Sequence, residues 1–213
     1  MILSYSFIRD YLNCPRKAHH IFVLKDIPFT ETEQMKWGNI VHQNLEDAIN
    51  QNKPFSQETA KYAPYVQSLK ALKEPIEAEV KLGATATGAP AGFFDKGSVS
   101  YRGKIDVLIR GNKEALLVDW KTGKVREDPL ELEIQAFLVK ANFPQLKRIS
   151  GFYVWLAEGK IGQKHDLSDW LTMYKYLTNL RDKIINEKEW RPTPNALCPW
   201  CAVASCEFRK GRK

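Results

Sequence analysis

The apolar residues of this chain switch between two periods. Trp37, Ile40, Val41, Leu45, Ala48 and Ile49 recur at helical spacing and predict a long amphipathic helix over residues 33–50. Ser4 or Ser6 is placed to cap a shorter helix running to Leu12, and a third helix is predicted over roughly 56–73. Residues 75–82 alternate polar with apolar, as a half-buried strand does, which puts Glu77 and Glu79 on one face. Two strand-like runs follow, 102–109 and 115–121; separated by Gly111, Asn112 and Lys113, they predict an antiparallel hairpin. Residues 150–156 supply a fourth strand. Residues 128–142 read as a helix with Pro129 in its first turn. Ser168 is placed to cap a last long helix whose Trp170, Leu171, Tyr174, Leu177, Leu180 and Ile184 are core residues. Helices and strands interleaved in this way predict an α/β fold.

Polar residues break these runs at a few positions, and the candidate chemistry lies there. Asp119 and Lys121 close a strand whose other residues, Ala115, Leu116, Leu117 and Val118, are those of a buried strand. Being two apart they share a face, while Trp120 turns to the other. Burying an acid and a base is costly unless they are paired or hold a metal, and an isolated Asp-x-Lys is most often a salt bridge. Here Asp106 joins them from the neighbouring strand, between Ile105 and Val107, where aspartate is depleted. Two carboxylates and a lysine converging from a hairpin suit a hard divalent cation with an anion beside it. In the first long helix, Gly38 and His42 lie four apart on one face. A mid-helix glycine costs about 1 kcal/mol relative to alanine, so Gly38 predicts close approach of another backbone or a ligand. A lone helical histidine is more often hydrogen-bonded structure than a ligand, and Glu77 and Glu79 equally suit a solvated face. The glycine-rich stretch 83–103 reads as a flexible loop, either a disordered connection or a cover whose Phe93, Phe94 or Tyr101 stacks on bases.

Taken in order, G-x-x-x-H (Gly38 to His42), the glutamate strand, Gly103-Lys104-Ile105-Asp106-Val107 and Val118-Asp119-Trp120-Lys121-Thr122-Gly123 resemble the RecB-like members of the PD-(D/E)XK nuclease superfamily. The resemblance extends from Ser4 to Cys206. It implies a restriction-endonuclease-like core, a small central mixed β-sheet flanked by helices, with residues 1–213 as a single domain. It implies His42, Asp106 and Asp119 as ligands of a catalytic manganese or magnesium ion, the Trp120 carbonyl as an extra ligand, and Lys121 as the lysine that positions or activates the attacking water. Glu79 becomes a group behind the ligands or the ligand of a second ion. Gln135 matches the family's glutamine on the following helix, whereas the tyrosine usual one turn later is Val139 here. The activity implied is metal-dependent exonucleolytic hydrolysis of DNA, preferably from single-stranded ends, in recombination, repair or replication, with any helicase or recombination partner as a separate chain. The competing reading is an inactive or assembly-dependent nucleic-acid-binding subunit of a recombination or CRISPR complex.

The 4 cysteines are Cys14 and a C-x-x-C-x4-C group, Cys198, Cys201 and Cys206. Two disulfides, a zinc site or an iron–sulfur cluster all use four thiols. Disulfides fit least: no signal peptide precedes the first residues, and two-residue spacing is tight for a bridge. Thiolate chemistry does not separate zinc from iron. One cysteine before the core and three after it is similar to the iron–sulfur branch of the family, the AddB-type and CRISPR adaptation nucleases. That implies a 4Fe-4S cluster stapling the two chain ends.

Length and charge narrow the class further. With 213 residues and 44% apolar content, the chain suffices for one compact unit. Its apolar runs are too short to span a bilayer, and a cytoplasmic location is expected. Its 32 Lys and Arg against 25 Asp and Glu give +7, which suits polyanionic DNA. Basic residues gather at Arg16 and Lys17, around the candidate site (Arg102, Lys104, Lys121, Lys124, Arg126) and at 209–213.

Overall fold

The computed structural model describes residues 1–209, so 210–213 of the C-terminal basic run lie outside the described residues. Two compact units emerge, one built on Leu3–Thr30 together with the chain from Asn179 onward and Met1, the other on Glu31–Thr178 with Ile2.

The first unit opens with α1 (Tyr5–Asn13), capped by Ser4, whose hydroxyl accepts from the Phe7 N–H at 3.4 Å. Beyond the expected end at Leu12, α2 (Pro15–Ala18) runs into a π-helical segment, His19–Leu24. Proline at the first position of α2 starts a new helix, which the apolar period does not reveal. Aromatic packing fills this unit: Phe7 stacks on Phe22 at 4.7 Å, and Trp190 takes Tyr11 edge-on and His19 face-on.

In the second unit, α3 (Glu33–Asn50) has the expected bounds, with Thr32 accepting from the Met35 N–H at its start. The next helix is shorter than predicted: a 3-10 turn at Ala60–Tyr62 leads into α4 (Ala63–Lys70). There follow β1 (Ile76–Ala84), β2 (Pro90–Ala91), β3 (Tyr101–Arg110), β4 (Glu114–Lys121), α5 (Pro129–Asn142), β5 (Arg148–Trp155), β6 (Lys160–Ile161) and β7 (His165–Asp166). A last helix, α6 (Trp170–Ile185), begins in this unit. The strand order is β2-β1-β3-β4-β5-β6, with β7 also on β5. Pairing is antiparallel except between β4 and β5, so the sheet is mixed. The parallel pair requires a crossover, and α5 supplies it. The Gly111 N–H closes the β3–β4 hairpin on the Glu114 carbonyl at 2.9 Å.

Two local expectations change. Asp169, not Ser168, caps α6 by accepting from the Thr172 N–H at 3.2 Å; the Ser168 hydroxyl instead accepts from the Ile149 N–H of β5. The stretch expected to be a flexible loop is held by β2 against β1 and by Asp95, whose carboxylate takes the Gly97 N–H and the Ser98 hydroxyl. Tyr101 is 1% exposed and meets Phe137 edge-on, so it is not available to stack on bases.

Helices cover both faces of the sheet. Val41, Leu45 and Ile49 of α3 and Val66 of α4 pack with Val107, Val118 and Trp120. On the opposite side α5 lies across β1, β3, β4 and β5 and is buried nearly all round, from Leu132 to Val139. Leu117, 0% exposed in β4, tests this packing. Leu117→Ala should lower stability by about 2–5 kcal/mol, read from the urea midpoint. A loss under about 1 kcal/mol would refute the packing described.

Candidate metal centre

Strand alternation reverses where the site is built. Val107 and Ile109 of β3 belong to the cluster under α3 and α4, so a strict period of two would turn Tyr101 and Gly103 the same way. They meet α5 instead: Tyr101 packs on Phe137, and a Cβ on Gly103 would lie 2.8 Å from Leu138 Cδ1. Between these positions the β1–β3 ladder passes from Ala78↔Val107 to Val80↔Ile105 without pairing Glu79 to Asp106. Glu79 there has a left-handed φ of 58°. Such a backbone costs roughly 1–3 kcal/mol in a non-glycine residue. It also separates the two glutamates expected on one face: Glu77 pairs with Arg110, whereas Glu79 meets His42.

His42, projecting from α3, has its Nδ1 3.3 Å from Glu79 Oε1 and 3.5 Å from Asp106 Oδ1. The ligand atoms of His42, Glu79 and Asp106 lie within 4.8 Å of one another, the metal-sized group found among the described residues. Asp106 is fixed from behind by the Trp120 N–H, which donates to Oδ2 at 2.9 Å. Lys104 forms an ion pair with Glu79 from the rim. At Gly38, four residues before His42, the close neighbour is a side chain and not the backbone or ligand expected: a Cβ there would lie 3.2 Å from Thr122 Oγ1.

Asp119, close enough to Asp106 for the two to repel, is held by different partners. Gln135 Nε2 donates to its Oδ1 at 3.1 Å, and Lys121 Nζ stands 2.6 Å from its Oδ2. Lys121 also donates to Glu131 Oε2 at 2.9 Å. Thus α5 holds both members of the Asp-x-Lys through one face, Glu131 and Gln135 being four apart. Of the residues expected to bind one ion together, His42 and Asp106 meet, Glu79 joins them, and Asp119 is tied to the lysine and the glutamine. Trp120 contributes its N–H to Asp106 while its ring, 2% exposed, lies in the apolar cluster. Val139, standing where the family's tyrosine is usual, is fully buried. Glu131 was not foreseen. Its spacing from Gln135 was the signal that could have found it.

The charges are strongly coupled. Burial lowers the His42 pKa, but hydrogen bonds with Asp106 and Glu79 outweigh it and hold the imidazole at about 10. Burial pushes Asp106 up, yet the charged His42, Lys121 and the Trp120 N–H bring it below the usual carboxylate range. Asp119 goes the other way: burial, then repulsion from Asp106, raise it above that range despite Lys121. Burial opposes the charge on Lys121, but Asp119 and Glu131 overcome it and raise its pKa. An imidazole and carboxylate oxygens form a donor set suited to manganese and compatible with magnesium. Asp119 Oδ2, buried without a well-formed hydrogen bond, adds a further oxygen beside them. His42, Glu79 and Asp106, with Asp119 adjacent, therefore fit a divalent ion.

The thiols are arranged differently. Cys14, Cys198, Cys201 and Cys206 are all free and half-buried in the first unit, and they do not form a metal-sized group. Cys198 Sγ accepts from the Asn195 N–H at 3.2 Å, and the Cys201 N–H returns to the Cys198 carbonyl.

The family profile described as PD-(D/E)XK nuclease superfamily matches residues 2–206. No curated protein matches the chain. Among solved structures, SSO0001 is 16% identical with a TM-score of 0.57, the match covering 99% of this chain and 87% of that one. A protein of Eubacterium rectale provisionally named an exonuclease is 14% identical with a TM-score of 0.54, covering 94% and 86%. At these identities the likeness is one of fold. Among the described residues no helix is long and apolar enough to cross a membrane.

An ion entering this centre must displace the proton that His42 carries at neutral pH. Manganese affinity should therefore rise with pH up to about 10, by about tenfold per unit where His42 alone gives up a proton and more steeply below about 8, where Asp119 is protonated as well, with proton release measurable by calorimetry in two buffers. In the metal-free protein the sign is opposite. The raised His42 pKa stabilises the fold fully below the unfolded value of 6.5, and this contribution is lost as pH rises through about 10. A pH-independent manganese affinity would remove His42 from the ligand set.

Proposed function

Because the chain belongs to the PD-(D/E)XK nuclease superfamily, we propose that its metal centre hydrolyses DNA phosphodiesters from a free, preferably single-stranded end. The convergence of His42, Glu79 and Asp106 beside the Asp119–Lys121–Glu131 chain of charges is the observation that carries this reading. Manganese or magnesium, when bound, supplies Lewis acidity and a lower pKa for water. His42, Asp106 and Asp119, joined here by Glu79, are the residues proposed to hold it, with the Trp120 carbonyl as an additional oxygen. Lys121 keeps its proton between two carboxylates, so it serves as hydrogen-bond donor and countercharge to a phosphate, not as a general base. Gln135 and Glu131 fix the two arms of that pair. The exonuclease named among the solved structures supports the end requirement by likeness of fold. A role in recombination, repair or replication, in the cytoplasm and beside a separate helicase or recombination partner, rests on the RecB-like pattern of motifs.

The four cysteines are proposed to hold a 4Fe-4S cluster, with zinc as the alternative. The four thiols belong to one unit, and Arg16, two residues after Cys14, pairs with Glu207, next to Cys206. That ion pair draws the two thiol-bearing segments toward each other before any metal arrives.

Two measurements test these readings. With manganese, end-labelled linear single-stranded DNA should be degraded much faster than the same strand closed into a circle, and Asp119→Asn or Lys121→Ala should cut the rate by about 100-fold or more without unfolding the protein. Equal rates on circle and line would refute the end requirement. Binding without cleavage would place the chain among nucleic-acid-binding subunits. Protein purified without oxygen should be brown, with broad absorbance near about 400 nm that is lost in Cys14→Ser. A colourless protein with one equivalent of zinc would overturn the cluster.

A further inference from the structure

Beside the metal centre, β3 carries a row of side chains that the chemistry above does not use. Tyr101 and Gly103 face α5, so Arg102 and Lys104, which alternate with them, face the other way. Lys81 of β1 is the cross-strand partner of Lys104, and such partners lie side by side on one face. Lys104 reaches Glu79 of the metal centre, so this face is continuous with it. Opposite Arg102 stands Gly83, where a Cβ would lie 2.7 Å from the Ala91 carbonyl; the glycine lets β2 close against β1. The chain leaving β2 turns at once, with the Asp95 N–H on the Gly92 carbonyl at 3.0 Å, and presents Phe93 and Phe94. Phe94 is 72% exposed, with Lys81 Nζ 5.6 Å from its ring centre, and Arg102 sits 5.1 Å from the ring centre of Phe93. Among the described residues neither Lys81 nor Arg102 has a carboxylate partner.

We propose that Phe94, with Phe93, Lys81 and Arg102, forms a guide track for single-stranded nucleic acid leading to the metal centre. An exposed ring on a pinned turn offers a stacking platform to an unpaired base of any sequence, and two uncompensated cations beside it suit the neighbouring phosphates. Duplex bases, already stacked on each other, gain nothing from the ring. The inference deepens the proposed nuclease reading, and rests on it for the direction of the track.

The test uses the full chain, a fluorescent oligo(dT) probe and anisotropy without divalent metal, alongside manganese-dependent cleavage of the same probe. Phe94→Ala should weaken oligo(dT) binding about tenfold, leave its salt dependence unchanged, and scarcely alter binding to a duplex of equal length. Lys81→Ala and Arg102→Ala should each reduce the slope of log affinity against log salt by about 0.7. Phe29→Ala, an equally exposed ring in the other unit, should bind as the unsubstituted chain does. Unchanged oligo(dT) affinity in Phe94→Ala, or equal losses on single strand and duplex, would overturn the track, whatever the cleavage result. Binding that responds as expected in a chain that never cleaves would keep the track and sink the nuclease reading.

Discussion

The site depends on one backbone event, the reversal of side-chain alternation where Glu79 and Asp106 face each other without pairing. A regular ladder would bury both carboxylates under a helix or expose both to water. The left-handed turn at Glu79 does neither: it releases the ladder, aims Glu79 at His42 and leaves Asp106 to take the Trp120 N–H. Strain of this size survives only when the surroundings impose it. Here the surroundings are a sheet covered on both faces, by α3 and α4 on one side and α5 on the other.

Charge follows from that geometry. Asp106, Asp119 and Glu79 lie with His42 and Lys121, and burial together with the repulsion between Asp106 and Asp119 opposes ionisation of those two at once. Asp106 keeps its charge because His42 and Lys121 offset it, and Asp119, facing Asp106, holds a proton more firmly. A divalent cation held by these residues would take the place of those protons, and its affinity would then depend on pH. The pair Glu131 and Gln135 makes α5 part of the candidate site as well as of the crossover. The helix that joins β4 to β5 in parallel also clamps the acid and the base at the end of β4.

The first unit is built on other principles. Stacked rings around Trp190 and a π-helical segment replace the sheet, and four half-buried free thiols lie among its short segments. A metal bound there would contribute folding free energy, since few long-range backbone ladders tie these segments together.

What the sequence determined by itself was local. The bounds of α3, the β3–β4 hairpin and the shared face of Asp119 and Lys121 follow from periods of 3.6 and 2 that act over a few residues. Resemblance added the fold, which stands in the structure, and named His42 and Asp106 among the ligands of one ion; the structure brings those two side chains to 3.5 Å. The tertiary structure decided whatever depends on residues far apart in the chain. It joined Glu79 to His42 through a reversal that no period predicts, gave Asp119 to Gln135 and Lys121, and turned Tyr101 inward while leaving Phe94 in solvent. Each of those outcomes is set by which helix covers a given stretch of sheet, and a linear pattern of polar and apolar residues does not encode that choice.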